Sequence, residues 1–257
     1  MGQQPNPAPQ TPPSLPAPQS GASQTPTPPA AIPPAPVHVG PTIVLDPAHG
    51  GTDNGAQGPS GIVEKDVVLR FARQIRAEFE RQGFRVVLTR NDDSNPSYED
   101  RAATANAYRD AIFISLHVSS TGKVGTAQAY AYQYASSAAA DAPANSASKS
   151  PVVWEEAQRP YLETSHRLAD LVQLQLGLRF SDSPAASRSF AIRELRSVAA
   201  PAVAVELSSV AVPDGNMLFS MGFPLMNALV RSVQLFRPAP AVSRNISGAS
   251  VPAEGAN

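Results

Sequence analysis

The chain has 257 residues, and its proline is unevenly distributed, because 14 of the 27 prolines lie in residues 1–41. A net charge of −1 and a pI near 6.4 argue against a nucleic-acid binder held by phosphate contacts. The absence of cysteine excludes thiol catalysis, cysteine zinc sites and disulfides, and the longest apolar runs are far shorter than the roughly 18 residues of a membrane span.

The composition divides the chain into three parts. Residues 1–41 contain no Asp, Glu, Lys or Arg and cannot bury enough apolar surface to offset chain entropy, so we predict a disordered, partly polyproline-like arm. Residues 42–237 hold 39 of the 41 charged residues and have a length that suits one domain. Residues 238–257 are again rich in Pro, Ala, Ser and Gly and are predicted to form a flexible tail.

Hydrophobic periodicity predicts strands and helices that alternate along the central part. In chain order these are strand 42–45, helix 64–82, strand 84–89, helix 98–109, strands 111–116 and 125–134, helix 161–178, strands 190–193 and 202–207, and helix 222–236. A glycine-rich loop follows the first strand. Residues 135–156 are predicted to form a surface excursion or mobile insert. The alternation implies an α/β domain with a largely parallel sheet between helical layers.

Four residues that could carry chemistry lie at the ends of predicted elements. His49 follows the first strand by three residues, His117 comes directly after the third strand, and Glu206 ends the last strand. Glu64 begins the first helix and can approach the same edge of the sheet, where open α/β sheets form their functional crevice. Two imidazoles and one carboxylate form a common catalytic zinc set, and a second glutamate off the metal could act as general base.

Each of these residues also has a simpler explanation when it is taken alone. His49 could be an ordinary loop histidine, and a hydrophobic strand that ends in His117 is unremarkable. Glu64 could be a charge that favours a helix N-terminus, and Glu206 could form a salt bridge. Only their joint occurrence favours a metal site.

Six motifs in a fixed order carry a family resemblance: LDPAHGGTDNGAQG, GIVEKDVVL, LTRNDD, YEDRAATAN, FISLHVSS and PAVAVEL. Together they resemble the zinc-dependent N-acetylmuramoyl-L-alanine amidases of the type-3 amidase family, which cut bacterial peptidoglycan. The resemblance covers about residues 42–237. It implies a single three-layer α/β/α domain with a mixed, mostly parallel sheet of the phosphorylase/hydrolase-like type.

The resemblance implies that His49, Glu64 and His117 bind Zn2+ and that Glu206 is the catalytic glutamate. The implied reaction is hydrolysis of the amide between N-acetylmuramic acid and the L-alanine of the stem peptide, in cell-wall remodelling or daughter-cell separation. Zinc would lower the pKa of a bound water and polarise the scissile carbonyl. Glu206 would take the proton of that water and pass it to the leaving amine.

The resemblance also implies partners and a location. We expect a peptidoglycan or muropeptide substrate, an activator protein as a candidate partner, no nucleic acid, no membrane span and a monomer. We expect an exported protein of the periplasm or the cell wall, although its first four residues lack the basic start and apolar core of a signal peptide. The proline-rich arm would then be a tether that gives the enzyme reach.

The sequence departs from the family pattern at two places. Ala48 stands where the family usually has glycine before the first histidine, so the backbone there must do without a strong preference for positive φ. The chain continues from Glu206 with Leu207-Ser208-Ser209, where the family commonly has Gly-Phe and then Ser-Asn. We expect a reshaped substrate groove beside Glu206.

Two other functions stay open at this point: a catalytically weak cell-wall binding module, and a zinc peptidase on a related fold. Residues 135–158 occupy a place where some family members carry a regulatory element that covers the zinc. Glu155 or Glu156 could serve that purpose, although the composition favours a plain mobile loop.

Several polar residues near the motifs are expected to have supporting roles. Asp46 and Asp53 should orient ligands or shape the glycine-rich loop, whereas Arg101 and Asn106 should brace the second helix. Alternating tyrosines in strand 125–134 are more often packing residues than a binding surface, so we expect them to pack.

Overall fold

The computed structural model describes residues 40–134 and 153–236, together with Gly2 and His38. Most of the predicted arm, most of the predicted excursion 135–156 and all of the predicted tail lie outside the described residues. Among the described residues, no helix is long and apolar enough to cross a membrane.

The described residues form six strands and six α-helices, with two short 3-10 turns at Trp154–Glu156 and Arg159–Tyr161. In chain order the elements are β1 (Thr42–Pro47), α1 (Glu64–Arg81), β2 (Val86–Leu88), α2 (Tyr98–Asn106), β3 (Ala111–Ser119), β4 (Thr126–Tyr132), α3 (Leu162–Gly177), β5 (Arg188–Phe190), α4 (Arg193–Arg196), β6 (Ala202–Ser208), α5 (Gly215–Ser220) and α6 (Gly222–Leu235).

The strands form one mixed sheet in the order β2-β1-β3-β6-β4-β5. The first four strands in this order run parallel, whereas β4 is antiparallel to β6 and parallel to β5. The predicted mixed, mostly parallel sheet is therefore confirmed. The carboxyl ends of β1, β3 and β6 meet at the same edge, which is the edge where the sequence places its candidate site.

Two apolar clusters cover the two faces of the sheet, because successive strand side chains point to opposite sides. Ile43 and Leu45 of β1 pack in the larger cluster with buried residues of α1, α3 and α6. Val44, between them, packs in the smaller cluster with residues of α2 and α4. This arrangement gives the three-layer α/β/α domain that the resemblance implies.

Two of the predicted boundaries that differ from the structure affect the site. The predicted strand 190–193 is a strand only up to Phe190, and α4 begins at Arg193. The strand pattern failed there because four residues are too few to distinguish the end of a strand from the start of a helix. His117 lies inside β3 rather than after it, since the strand continues through Val118 to Ser119.

Candidate metal centre

Three side chains converge at the carboxyl edge of the sheet and form a group that could hold a metal ion: His49, Glu64 and His117. The carboxylate of Glu64 lies between the two rings, with Oε2 at 3.2 Å from His49 Nε2 and Oε1 at 3.1 Å from His117 Nδ1. One ligand atom from each residue lies within 4.8 Å of the other two. We call these three residues the candidate metal centre. Two imidazole nitrogens and a carboxylate oxygen are a donor set that suits divalent transition metals.

His49 reaches the centre through an unusual backbone conformation. Its φ is +62°, and it is the one non-glycine residue with positive φ in the described part of the chain. This conformation costs roughly 1–3 kcal/mol and persists only where surrounding contacts enforce it. The φ of Ala48 is not positive, as we expected for an alanine at that position.

Two buried arginines supply the contacts that enforce this conformation. Arg101 donates to the carbonyl oxygens of His49 and Pro47 at 2.9 and 3.0 Å, and it forms an ion pair with Asp46 at 2.6 Å. Arg90 donates to the carbonyl of Pro47 at 2.8 Å and to that of Ala48 at 2.9 Å. The backbone of the loop is therefore held at each residue from 47 to 49. Arg101 was expected to brace the second helix, and it also fixes the loop.

Glu64 is buried at the first turn of α1 and is fully hydrogen-bonded. Its Oε2 accepts from the amide of Ala56 at 2.8 Å, and its Oε1 accepts from the amide of Val118 at 2.9 Å. Burial alone would raise the pKa of Glu64, but hydrogen bonds with His117 and His49 outweigh it and hold the pKa well below its usual range. The carboxylate is therefore ionised at neutral pH.

The two imidazoles lie in a strongly negative environment. Burial would lower the pKa of His117, but hydrogen bonds with Glu194 and Glu64 raise it to about 10. The hydrogen bond with Glu64 is the main cause that raises the pKa of His49. Since carboxylates that hold a proton on a ring also attract a cation, the same environment favours a metal ion at the centre.

Each imidazole has a carboxylate at the ring nitrogen that does not face Glu64. His49 Nδ1 lies 2.8 Å from Asp53 Oδ2, and His117 Nε2 lies 2.9 Å from Glu194 Oε1. Asp53 was expected to orient a ligand. Glu194 was missed, because it lies in α4 outside the quoted motifs, where no pattern in the sequence points to the site.

Glu206 does not belong to the three converging residues but lies next to them. Its Cα pairs with that of His117 in the register of β3 and β6, so the two side chains point to the same face of the sheet. The hydroxyl of Tyr130 donates to Glu206 Oε2 at 2.9 Å. Burial and this hydrogen bond raise the pKa of Tyr130 to about 12, so the phenol stays a donor at neutral pH. Tyr130 was expected only to pack.

A cavity of about 300 Å³ opens beside the two imidazoles. His49, His117 and Glu194 line this cavity, together with Arg193 and residues at the start of α2. Glu155 and Glu156 lie elsewhere, beside a second cavity of about 360 Å³, and pair with Arg196 and Arg159. Neither glutamate belongs to the candidate metal centre.

The chain is similar to known N-acetylmuramoyl-L-alanine amidases. The family model described as N-acetylmuramoyl-L-alanine amidase matches residues 43–220. Over 77 residues the chain is 44% identical to the N-acetylmuramoyl-L-alanine amidase AmiC of Neisseria meningitidis serogroup B, a match that covers 30% of this chain and 18% of the relative. The chain thus spans about a fifth of the length of that curated relative.

Solved structures share the fold at low sequence identity. The amidase AmiC2 of Nostoc punctiforme has a TM-score of 0.56 at 21% identity, over 77% of this chain and 99% of that one. The CwlD amidase of Clostridioides difficile, solved in complex with the GerS lipoprotein, has a TM-score of 0.54 at 19% identity, over 76% of this chain and 99% of that one.

Proposed function

Because this chain belongs to the N-acetylmuramoyl-L-alanine amidase family, we propose that it hydrolyses the amide bond between N-acetylmuramic acid and the L-alanine of the peptidoglycan stem peptide. The observation that carries the proposal is the convergence of His49 Nε2, His117 Nδ1 and the Glu64 carboxylate, with Glu206 on the neighbouring strand. In this proposal the first three residues bind a metal and the fourth moves a proton.

We propose zinc as the metal, held by His49, Glu64 and His117. Two imidazoles and one carboxylate leave further coordination positions for water and substrate, as catalytic zinc sites do. Bound zinc would supply a water of lowered pKa and would polarise the scissile carbonyl. Glu64 is suited to this task because its carboxylate stays ionised while the backbone amides of Ala56 and Val118 fix its orientation.

Glu206 would act as the general base and then as the acid. In this proposal its carboxylate takes the proton of the attacking water and passes it to the leaving amine of L-alanine. The hydroxyl of Tyr130 holds Oε2, so Oε1 is the oxygen left for proton transfer. The strand β4, which carries Tyr130, is thereby part of the catalytic arrangement.

One experiment tests the amidase activity, the binding of zinc and the role of Glu206 as the general base. The full chain is loaded with zinc and incubated with muropeptides, and released stem peptide with a free L-alanine amine is measured by mass spectrometry. Glu206→Gln should keep its zinc and lose about 10²–10⁴-fold in rate. Glu163→Gln, which changes an exposed carboxylate on α3, should match the unmodified protein in both measurements.

Three outcomes would contradict the proposal. A fully active Glu206→Gln variant would remove the assigned base. Bound zinc without cleavage would indicate a cell-wall binding module, and cleavage inside the stem peptide would indicate a zinc peptidase.

The same reasoning extends to the organisation and surroundings of the protein. We propose that residues 42–237 form the catalytic domain, which the family match over 43–220 supports, and that 1–41 and 238–257 are a tethering arm and a tail. We propose a periplasmic or cell-wall location, where the substrate lies, and a monomer that binds no nucleic acid. An activator protein is proposed by analogy with CwlD, whose structure contains the GerS lipoprotein.

A further inference from the structure

We propose that Glu194 is a positioning residue, which holds the ring of His117 in the one tautomer that presents Nδ1 to a metal. The inference rests on the proposed metal-binding role of His117. It goes beyond that role because it concerns a residue of α4, outside the metal ligands and the general base.

The hydrogen bonds at Nε2 of His117 keep a hydrogen on that nitrogen. Glu194 Oε1 lies 2.9 Å from Nε2, and an ionised carboxylate can only accept. Ser115 Oγ lies 3.3 Å from the same nitrogen, and its hydroxyl hydrogen is already donated to Asp46 Oδ2 at 3.0 Å. Both neighbours of Nε2 therefore require a hydrogen there. Nδ1 faces the carboxylate of Glu64 at 3.1 Å. When a metal replaces the hydrogen in that contact, the hydrogen kept on Nε2 leaves Nδ1 with a free lone pair for the metal.

Burial favours the contact between Glu194 and His117. The side chain of Glu194 is 13% exposed and that of His117 is 26% exposed. A carboxylate in such surroundings would be costly without a partner, so the pair is strongly favoured over separate side chains.

The backbone of α4 is fixed in turn by the packing around it. Leu195, next to Glu194, is fully buried in the smaller apolar cluster. Asn106 of α2 donates to the carbonyl of Ser197 at 2.9 Å and accepts from the amide of Ala199 at 2.6 Å, just after the helix. Glu194 thus projects from a short but anchored helix, which is what a residue that orients a metal ligand requires.

The experiment compares Glu194→Ala and Glu194→Gln with the unmodified full chain. Zinc affinity is measured by competition with a chelating dye, and the tautomer of His117 is read from its ring 15N shifts with and without zinc. Glu99→Gln is the matched control, because Glu99 lines the same cavity but pairs with Arg193 rather than with a histidine.

We expect Glu194→Ala to lower zinc affinity by about 10–100-fold, as is usual when such an outer contact is lost. The ring of His117 should then show both tautomers in the metal-free protein at high pH. Glu194→Gln keeps an acceptor and should lose only several-fold in affinity, with the hydrogen still on Nε2. Glu99→Gln should bind zinc like the unmodified protein.

Unchanged zinc affinity in Glu194→Ala would overturn the inference. If that variant does not fold, Glu194→Gln decides, and unmodified affinity in it would equally overturn the inference. The outcome is separate from that of the proposed function, because a protein that binds zinc without cleaving muropeptides would refute the amidase activity while leaving the role of Glu194 intact.

Discussion

The two imidazoles of the candidate metal centre are held in different ways. His117 lies within β3, in the middle of the sheet, so the strand fixes its backbone and only its outer ring nitrogen needs a partner. His49 lies in a loop with a left-handed backbone, and the side chains of Arg90 and Arg101 hold the carbonyls around it. A ligand on a strand therefore depends on one side-chain contact, whereas a ligand on a loop depends on a set of buried cations.

The largest effect should come from removing one of these cations. Arg101 is 3% exposed and forms a buried ion pair with Asp46. Arg101→Ala should lower the free energy of unfolding by about 3–5 kcal/mol, because it leaves a buried carboxylate unpaired. Denaturant unfolding of the metal-free protein measures this, with the exposed Arg109→Ala as a control that should change it by less than about 0.5 kcal/mol. A loss below about 1 kcal/mol would mean that the loop does not depend on Arg101.

A methyl group at Gly55 should displace the side chains of His49 and Glu64 directly. Gly55 has φ +63°, and an added Cβ would lie 2.5 Å from Glu64 Oε2 and 2.6 Å from His49 Cδ2. Gly61 has φ +78° but open space around it, so Gly61→Ala isolates the backbone cost. Both variants should carry a backbone cost of about 1–2 kcal/mol in stability, to which Gly55→Ala adds its clash. Only Gly55→Ala should also lose zinc affinity, by more than about 100-fold, since it displaces two ligands at once. Equal zinc binding by the two variants would contradict the geometry.

The stability of the metal-free protein should depend on pH because the imidazole of His117 titrates differently in the folded and unfolded states. The pKa of His117 is raised to about 10 in the folded protein, above its unfolded value of about 6.5. The resulting stabilisation is complete below pH 6.5 and is lost as the pH rises toward 10. The midpoint of thermal unfolding without zinc should therefore fall by at least a few degrees, about 2–4 °C, between pH 6.5 and 9. Zinc displaces the proton, so its stabilising effect should grow over the same range. A midpoint that rises with pH in the absence of zinc would contradict the assigned contacts.

The smallest effect should come from the outer carboxylate of His49. Asp53 is 49% exposed, so its contact with the ring competes with water, unlike the buried contact of Glu194. Asp53→Asn should lower zinc affinity by less than about tenfold, less than Glu194→Ala does. Chelator competition on the two variants under the same conditions makes this comparison. A larger loss of zinc affinity in Asp53→Asn than in Glu194→Ala would mean that His49 depends more on its outer carboxylate than His117 does.

Much of the fold and the core of the site could be predicted from the sequence. The periodic apolar runs predict the alternating strands and helices, and the ends of parallel strands must meet at one edge. The convergence of His49, Glu64 and His117 follows from that rule together with the ordered motifs. These predictions succeeded because the signals are local in the chain and are repeated by several elements.

The residues that support the site could not be predicted in the same way. Glu194 lies in a four-residue helix that the strand pattern obscured, and its partner His117 is 77 residues away in the chain. The contact between Tyr130 and Glu206 depends on the register of two antiparallel strands, which no local pattern specifies. Arg90 looks like an ordinary charged residue at a strand end until its carbonyl partners are known. Such contacts are properties of the packed molecule rather than of any segment.

The position of Glu64 has a consequence for how the metal is gained and lost. Its two carboxylate oxygens keep backbone amide partners, from Ala56 and Val118, that are independent of any ion. Withdrawal of a metal would thus leave no bare carboxylate in the interior, and the helix and strand that it joins would stay together. If the centre holds zinc as proposed, chelation and reloading should therefore be reversible steps of a protein that stays folded.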